Sequence, residues 1–192
     1  MISTVFTQSP VFAEFVRAVE GVPRDALNLA AKAASKTFGK PIAMEDVRTA
    51  ARAWYQQDKA SVVRSNPALD RILGHIVDKV IGERRARAFL FPSGERNEHV
   101  ERLFDARLLH LLKKNVSSHD EPGKRYDVFK IDYGCYVDLI NTQRAPQGLF
   151  EASEFGADGV DFVEVPADDY RSIRRAILRP DDLARFAGLG VS

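Results

Sequence analysis

At 192 residues, with 45% hydrophobic and 29% charged residues, the chain can hold one domain or two small ones and is too apolar for wholesale disorder. Its net charge of +1 excludes a globally basic nucleic-acid binder. One cysteine, Cys135, excludes an internal disulfide and fits a reducing cytoplasm, where we expect the protein to reside. No apolar run approaches the ~20 residues of a membrane span, and the opening MISTVFTQSPVF lacks the basic and long apolar regions of a signal peptide.

The first 60 residues read as helices. Ser9-Pro10 is an N-cap followed by a first-turn proline, and Val11, Phe12, Phe15, Val16 and Val19 recur at helical spacing. Gly21 stands at the glycine stop. Pro23 opens a second helix, with Asp25 in its first turn facing the dipole and Leu27, Ala30, Ala31, Ala34 and Phe38 along one side. The alanines suggest close helix–helix contact. A third helix runs from about Ala43 to Lys59, with Met44, Val47, Ala50, Ala51 and Trp54 on its inner stripe. Three helices with short connections predict a small bundle over 1–62.

Residues 60–66 read as a polar joint. Asn66-Pro67 then caps a helix whose face is Leu69, Ile72, Leu73, Ile76, Val77 and Val80. The end of Arg84–Phe91 reads as a short strand stopped by Pro92-Ser93-Gly94. Asn97–Asn115 reads as helical, in one piece or as two with a bend near Asp105, and 117–125 as a loop. Tyr126–Tyr133 alternates and is rich in β-formers, so it predicts a strand. Helix, strand, helix pair, loop, strand is the order of a winged helix, over 63–141. Residues 142–192 form an accessory tail: a loop over 141–158, an edge strand Val160–Val165, a helix from Pro166 to about Leu178, and a last one from Pro180. The fold class is mainly α: a helical bundle, then a winged-helix domain with a small sheet, then the tail. There is no internal repeat or low-complexity tract.

The segment Gly21-Val22-Pro23-Arg24-Asp25-Ala26-Leu27 resembles the second-sensor segment in the lid of AAA+ ATPases of the initiator-like or STAND-like branch. Phe104–Leu111, with Arg125-Tyr126-Asp127-Val128-Phe129-Lys130-Ile131-Asp132-Tyr133-Gly134 beyond the loop, is similar to the winged helix that follows that lid. The likeness spans residues 10 to about 140. It implies that Arg24 reaches a nucleotide γ-phosphate, and that a lid senses ATP while a winged helix grips DNA. The phosphate-binding half is missing: Gly39-Lys40 precedes Pro41, and Ala34 stands where a P-loop needs its first glycine. The chain therefore reads as the lid and winged helix without the ATPase core. ATP enters only if a core is supplied, and no cofactor is expected in the isolated chain.

Arg24 has the planar, permanently charged fork that suits phosphate oxygens; its bland reading is a surface arginine paired with Asp25 or Glu20. Arg84, Arg85, Arg87, Lys113, Lys114, Lys124 and Arg125 could contact DNA phosphates, or form a solvated rim on a protein-binding winged helix. Asp120 and Glu121 in the loop would repel phosphate. His75, His99, His110 and His119 show no metal-ligand spacing, and no histidine stands beside a nucleophile in any motif. Asp168-Asp169 and Asp181-Asp182 suit helix starts. Tyr126, Phe129, Tyr133 and Tyr136 suit a core better than base stacking. Arg171, Arg174, Arg175 and Arg179 could meet an anion or pair with the acidic tail.

No catalytic residue is expected. Two functions follow: a DNA-binding, regulatory module of an initiator-like AAA+ ATPase, or a protein-interaction module of a STAND-like signalling or defence ATPase. Double-stranded DNA, a protein partner or the ATPase core are the expected partners, with no membrane. An apolar helix beginning at Val11 that normally packs on another domain would leave a patch near Phe12 and Phe15, or a homodimer covering it.

Overall fold

The computed structural model describes residues 2–84, 86–117, 121–140 and 176–187. It is mainly helical, with a three-stranded antiparallel sheet after the helical part. A short α1 (Ile2–Val5) leads to α2 (Ser9–Val19), α3 (Pro23–Thr37) and α4 (Met44–Trp54). Prolines sit in the first turns of α2 and α3, where the missing N–H costs nothing. Both helices end on a left-handed residue before a glycine: Glu20 (φ 56°) before Gly21, and Phe38 (φ 49°) before Gly39.

The expected joint at 60–66 is mostly helix. The chain continues from α4 through a π-helical turn, Tyr55–Lys59, into α5 (Ala60–Arg64). Ala60 and Val63 are buried, so this stretch is held by the core rather than released at its polar residues. α6 (Pro67–Val77) follows, capped by Asn66, whose Oδ1 accepts from the N–H groups of Ala68 and Leu69 at 3.2 Å. It ends in a second π-helical turn, Asp78–Glu83.

The sheet comprises β1 (Ala88–Pro92), β2 (Leu109–Ser117) and β3 (Arg125–Ile131), in the order β1–β3–β2. Phe89 lies opposite Phe129, and Leu109 opposite Ile131. Phe89, Phe91, Phe129 and Ile131 face the main core, while Ala88, Leu90, Tyr126 and Val128 meet Ile177 on the other side. Only α7 (Glu98–Asp105) occupies the first part of 97–115; the expected second helix is β2. The run Leu108-Leu109-His110-Leu111-Leu112 satisfies either period. Arg107, left-handed at φ 60°, turns the chain, and hydrogen bonding to β3 decides for the strand.

α8 (Tyr133–Ile140) packs on α4. A Cβ at Gly134 would lie 2.7 Å from Tyr55 Cβ and 2.8 Å from the Ala51 carbonyl, so only glycine allows this approach. Residues 176–178, expected as helix, are extended beside β1: Leu90 N–H donates to Ala176 O at 2.8 Å, and Leu178 N–H to Leu90 O at 3.0 Å. α9 (Pro180–Ala187) packs on α6. The expected loop at 141–158, the strand at 160–165, the start of the next helix and Arg171, Arg174 and Arg175 lie outside the described residues, as do Arg85, His119 and Asp120.

One hydrophobic cluster runs from Phe6, Leu29 and Val47 through Ile72 and Ile76 to Phe89, Leu103 and Ile131. The face buried by α6 is the expected one. That of α3 is not. Asp25, Leu29 and Ala33 point inward, and Leu27, Ala30, Ala31, Ala34 and Phe38 point to solvent. α2 is rotated too, burying Val11, Glu14 and Ala18. The Phe6 ring, just past α1, meets Phe12 at 5.4 Å and Phe15 at 5.6 Å and so covers part of the expected patch, although Phe12 and Val16 remain exposed.

Candidate functional site

One residue on the inward face of α3, Asp25, is charged, and it meets a charged partner. Lys59 Nζ, 3% exposed, lies 2.8 Å from Asp25 Oδ2 and 2.5 Å from Asp132 Oδ1. The π-helical turn of Tyr55–Lys59 carries the ammonium, and Asp132 follows the end of β3. Asp25 also accepts from Trp54 Nε1–H at 3.0 Å and from Arg107 at 2.7 Å. Asp132 accepts from the backbone N–H of Cys135 at 3.1 Å, and His110 Nε2 lies 3.1 Å from its other oxygen. Burial pushes the Asp132 carboxyl up, but His110 and the Lys59 charge outweigh it and hold the pKa down to about 2. Burial opposes the Lys59 charge as well, and the two carboxylates overcome it, so its pKa is raised.

A second set lies beside it. Glu20 accepts from Arg87 and pairs with Lys130, and the Arg87 guanidinium sits 5.3 Å from the Tyr133 ring centre and 5.7 Å from that of Tyr136. Tyr133 donates its hydroxyl hydrogen to Glu14, which also pairs with Arg17 at 2.8 Å and Arg48 at 3.5 Å. Burial, then Glu14, raises the Tyr133 pKa. These interior groups fasten the helices to β3 and α8. Burial and Asp132 push the Cys135 thiol up to about 12, so it is held as a neutral thiol rather than a thiolate nucleophile. Asp25, Lys59 and Asp132 were missed as a set in the sequence; the available signal was a lysine five residues beyond Trp54, which a 3.6-residue period does not place inward.

The sequence-predicted residues are scattered. Arg24 is at the exposed head of α3, 3.2 Å from Asp58 and 5.6 Å above the Trp54 ring; its partner is Asp58, not Asp25 or Glu20. Arg87 offers nothing to phosphate, since it is 1% exposed and spent on Glu20. Arg84 is exposed at the far end of α6. Lys113, Lys114, Lys124 and Arg125 gather on the β2–β3 hairpin, on strand residues and the turn rather than at the end of a reading helix. Lys124 is 2.6 Å from Glu121, and Arg125 donates to Asn115 O at 3.3 Å. Lys124 and Tyr126 hold the Glu121 carboxyl down to about 2. Arg179 also pairs with Glu121, at 2.9 Å. Lys114 borders a groove of about 350 Å³ between α7 and the sheet, floored by Phe91, Phe104 and Phe129 and rimmed by Glu95, Glu101 and Asp105. Those carboxylates work against a phosphate backbone on this side. Among the described residues, no group of His, Cys, Asp and Glu could hold a metal ion, and no helix is long and apolar enough to cross a membrane.

α3 also carries a seam of residues exposed in the described structure. Arg24, Leu27, Ala31, Ala34 and Phe38 recur at alternating spacings of three and four, which is one seam of a helix. Leu27 is 74% and Phe38 91% exposed. Lys32 and Lys36 flank the seam, bonded to Gln57 and to Thr49 and Asp46. A shallow hollow beside Phe38, between Ala31 and Ala50, extends the apolar surface onto α4. Comparison with known proteins finds no matching family model, curated protein or solved structure.

Proposed function

We propose that the chain is a non-catalytic docking module whose α3 seam seats a protein. The partner implied by the lid resemblance is the nucleotide-binding core of an initiator-like or STAND-like ATPase. The observation that carries this reading is the exposed seam of Leu27, Ala31, Ala34 and Phe38 headed by Arg24. A contiguous exposed apolar stripe marks an interaction surface, and a cation at the head of the seam would reach a partner's anionic site. Lid movement with ATP would then be a shift between domain arrangements. The test is a photo-reactive residue in place of Ala31, compared with one in place of exposed Ser61, in cells. Adducts at position 31 with a P-loop ATPase, changing with ATP, are expected. Adducts without a nucleotide-binding protein, or equal at both positions, would sink the idea.

A second reading rests on the hairpin. Lys113, Lys114, Lys124 and Arg125 lie together there, as on a wing that tracks a phosphate backbone. Anisotropy titration of a short duplex at two salt concentrations decides it. Salt-sensitive binding lost in Lys113→Ala/Lys114→Ala/Lys124→Ala/Arg125→Ala supports DNA; no binding at low salt leaves the protein partner alone.

A further inference from the structure

Away from α3 and the hairpin, α6, the π-helical turn after it, residues 176–178 and α9 line a half-open cavity of about 390 Å³, within the size range of small-molecule sites. Val80, Leu178 and Phe186 make an apolar wall, and Arg84 and Arg185 border the same space. His75 lines it from α6 and is 8% exposed. Its ring stacks on Phe186, with centroids 3.7 Å and planes 20° apart, and its Nε2 is buried with no hydrogen-bond partner. A buried ring nitrogen left unsatisfied is costly, so one that is kept at a cavity wall calls for a partner.

The charges around the cavity indicate the kind of partner. Lys79 and Glu83 neutralise each other at 2.5 Å. Asp182 accepts from the Arg179 backbone N–H at 3.4 Å. The guanidiniums of Arg84 and Arg185, both on exposed residues, form no hydrogen bond or ion pair among the described residues. Two guanidinium forks and an imidazole nitrogen therefore border one apolar-walled cavity, where they outnumber the single carboxylate left without a cationic partner, Asp182. This is a set suited to a tetrahedral or planar oxyanion.

We infer that this cavity binds a small organic oxyanion, a phosphate- or sulfonate-type group on an apolar or aromatic body. His75 Nε2–H and the two guanidiniums hold the anion, and Val80, Leu178 and Phe186 hold the body. The site lies on different residues from the α3 seam and stands independently of the docking function. The groups that face His75 are Asp78, Lys79 and Glu83 from its own end of the helix, Arg84, and Asp182 and Arg185 from α9. Burial and Lys79 favour the neutral ring. A bound anion favours the protonated one, so by reciprocity protonation tightens the anion.

The test is NMR on the full chain, following the His75 ring nitrogens and the backbone amides of 176–187. Phenyl phosphate is the first probe, benzenesulfonate a probe whose own charge does not titrate, and benzyl alcohol the neutral control. Both anions should give saturable shifts by about 10 mM. Benzyl alcohol should give none. Arg84→Gln/Arg185→Gln should weaken binding by about tenfold or more. His75→Phe, which keeps a ring against Phe186, should lose it too, read at the amides. Benzenesulfonate should bind more tightly as pH falls from about 8 to about 6, through the histidine range. Absence of saturable shifts, equal shifts with benzyl alcohol, or unchanged affinity in the double glutamine variant would overturn the site.

Discussion

α3 and α6 carry equally regular apolar stripes and use them in opposite ways. α6 buries Leu69, Ile72, Leu73, Ile76 and Val77, the face its spacing selects. α3 turns Leu27, Ala31, Ala34 and Phe38 to solvent and buries Asp25 beside Leu29 and Ala33. Periodicity identifies a helical face; what covers that face is decided elsewhere. For α6 the cover is its own core. For α3 the inward side is claimed by Lys59, Trp54 and Arg107, all of which converge on Asp25.

The contrast breaks first at Lys59. Lys59→Ala removes the cation that buried Asp25 and Asp132 share, leaving Arg107 beside the first and His110 beside the second, and should lower unfolding free energy by about 3 kcal/mol, measured by urea denaturation. If it cost under 1 kcal/mol, the inward face of α3 would not be fixed by charge. Ile72→Ala, on the buried stripe of α6, should cost about 2–5 kcal/mol by cavity formation. A third probe is acid. The Asp132 pKa is depressed to about 2 from an ordinary value near 3.8. Its contribution is therefore complete above pH 3.8 and is lost as pH falls towards 2. The melting temperature should drop more steeply across that window in the wild type than in Asp132→Asn; equal slopes would remove Asp132 as a source of the acid sensitivity. The smallest effect belongs to the exposed stripe. Leu27→Ser/Phe38→Ser should change stability by no more than about 0.5 kcal/mol per site while abolishing partner adducts at position 31. A loss of several kcal/mol would mean that the stripe serves the fold itself.

Much of the fold was legible locally. Asn66-Pro67, Pro23 and the glycines after Glu20 and Phe38 punctuate helices through backbone chemistry that needs no tertiary context, and the ends of α2, α3 and α6 fall near them. The alternation of β3 was equally plain. Residues 109–117 were not, because Leu108–Leu112 fits both periods and the choice belongs to a partner strand reached after the hairpin. The helix through 60–64 was hidden because a π-helical turn shifts the period just before it. For the sites, Arg24 and the hairpin cations were visible as residue types. The burial of Arg87 was not, since nothing local to Arg84–Phe91 reveals that Glu20, Tyr133 and Tyr136 enclose it. His75 could be read as flanking a packed face, but its unpaired nitrogen depends on α9, more than a hundred positions along the chain.

The Lys59–Asp132 bond spans 73 positions, and this sets a clock during synthesis. At translation rates of roughly 5–20 residues per second, the ribosome needs roughly 4–15 s to supply Asp132 after Lys59. α3 and the π-helical turn are made by then, and so is Asp25, but the second carboxylate that balances the ammonium is still to come. The Lys59 ammonium therefore lacks one of its two carboxylates until β3 and α8 have been made. A nascent chain arrested before residue 132 should be open to proteases that the finished protein resists.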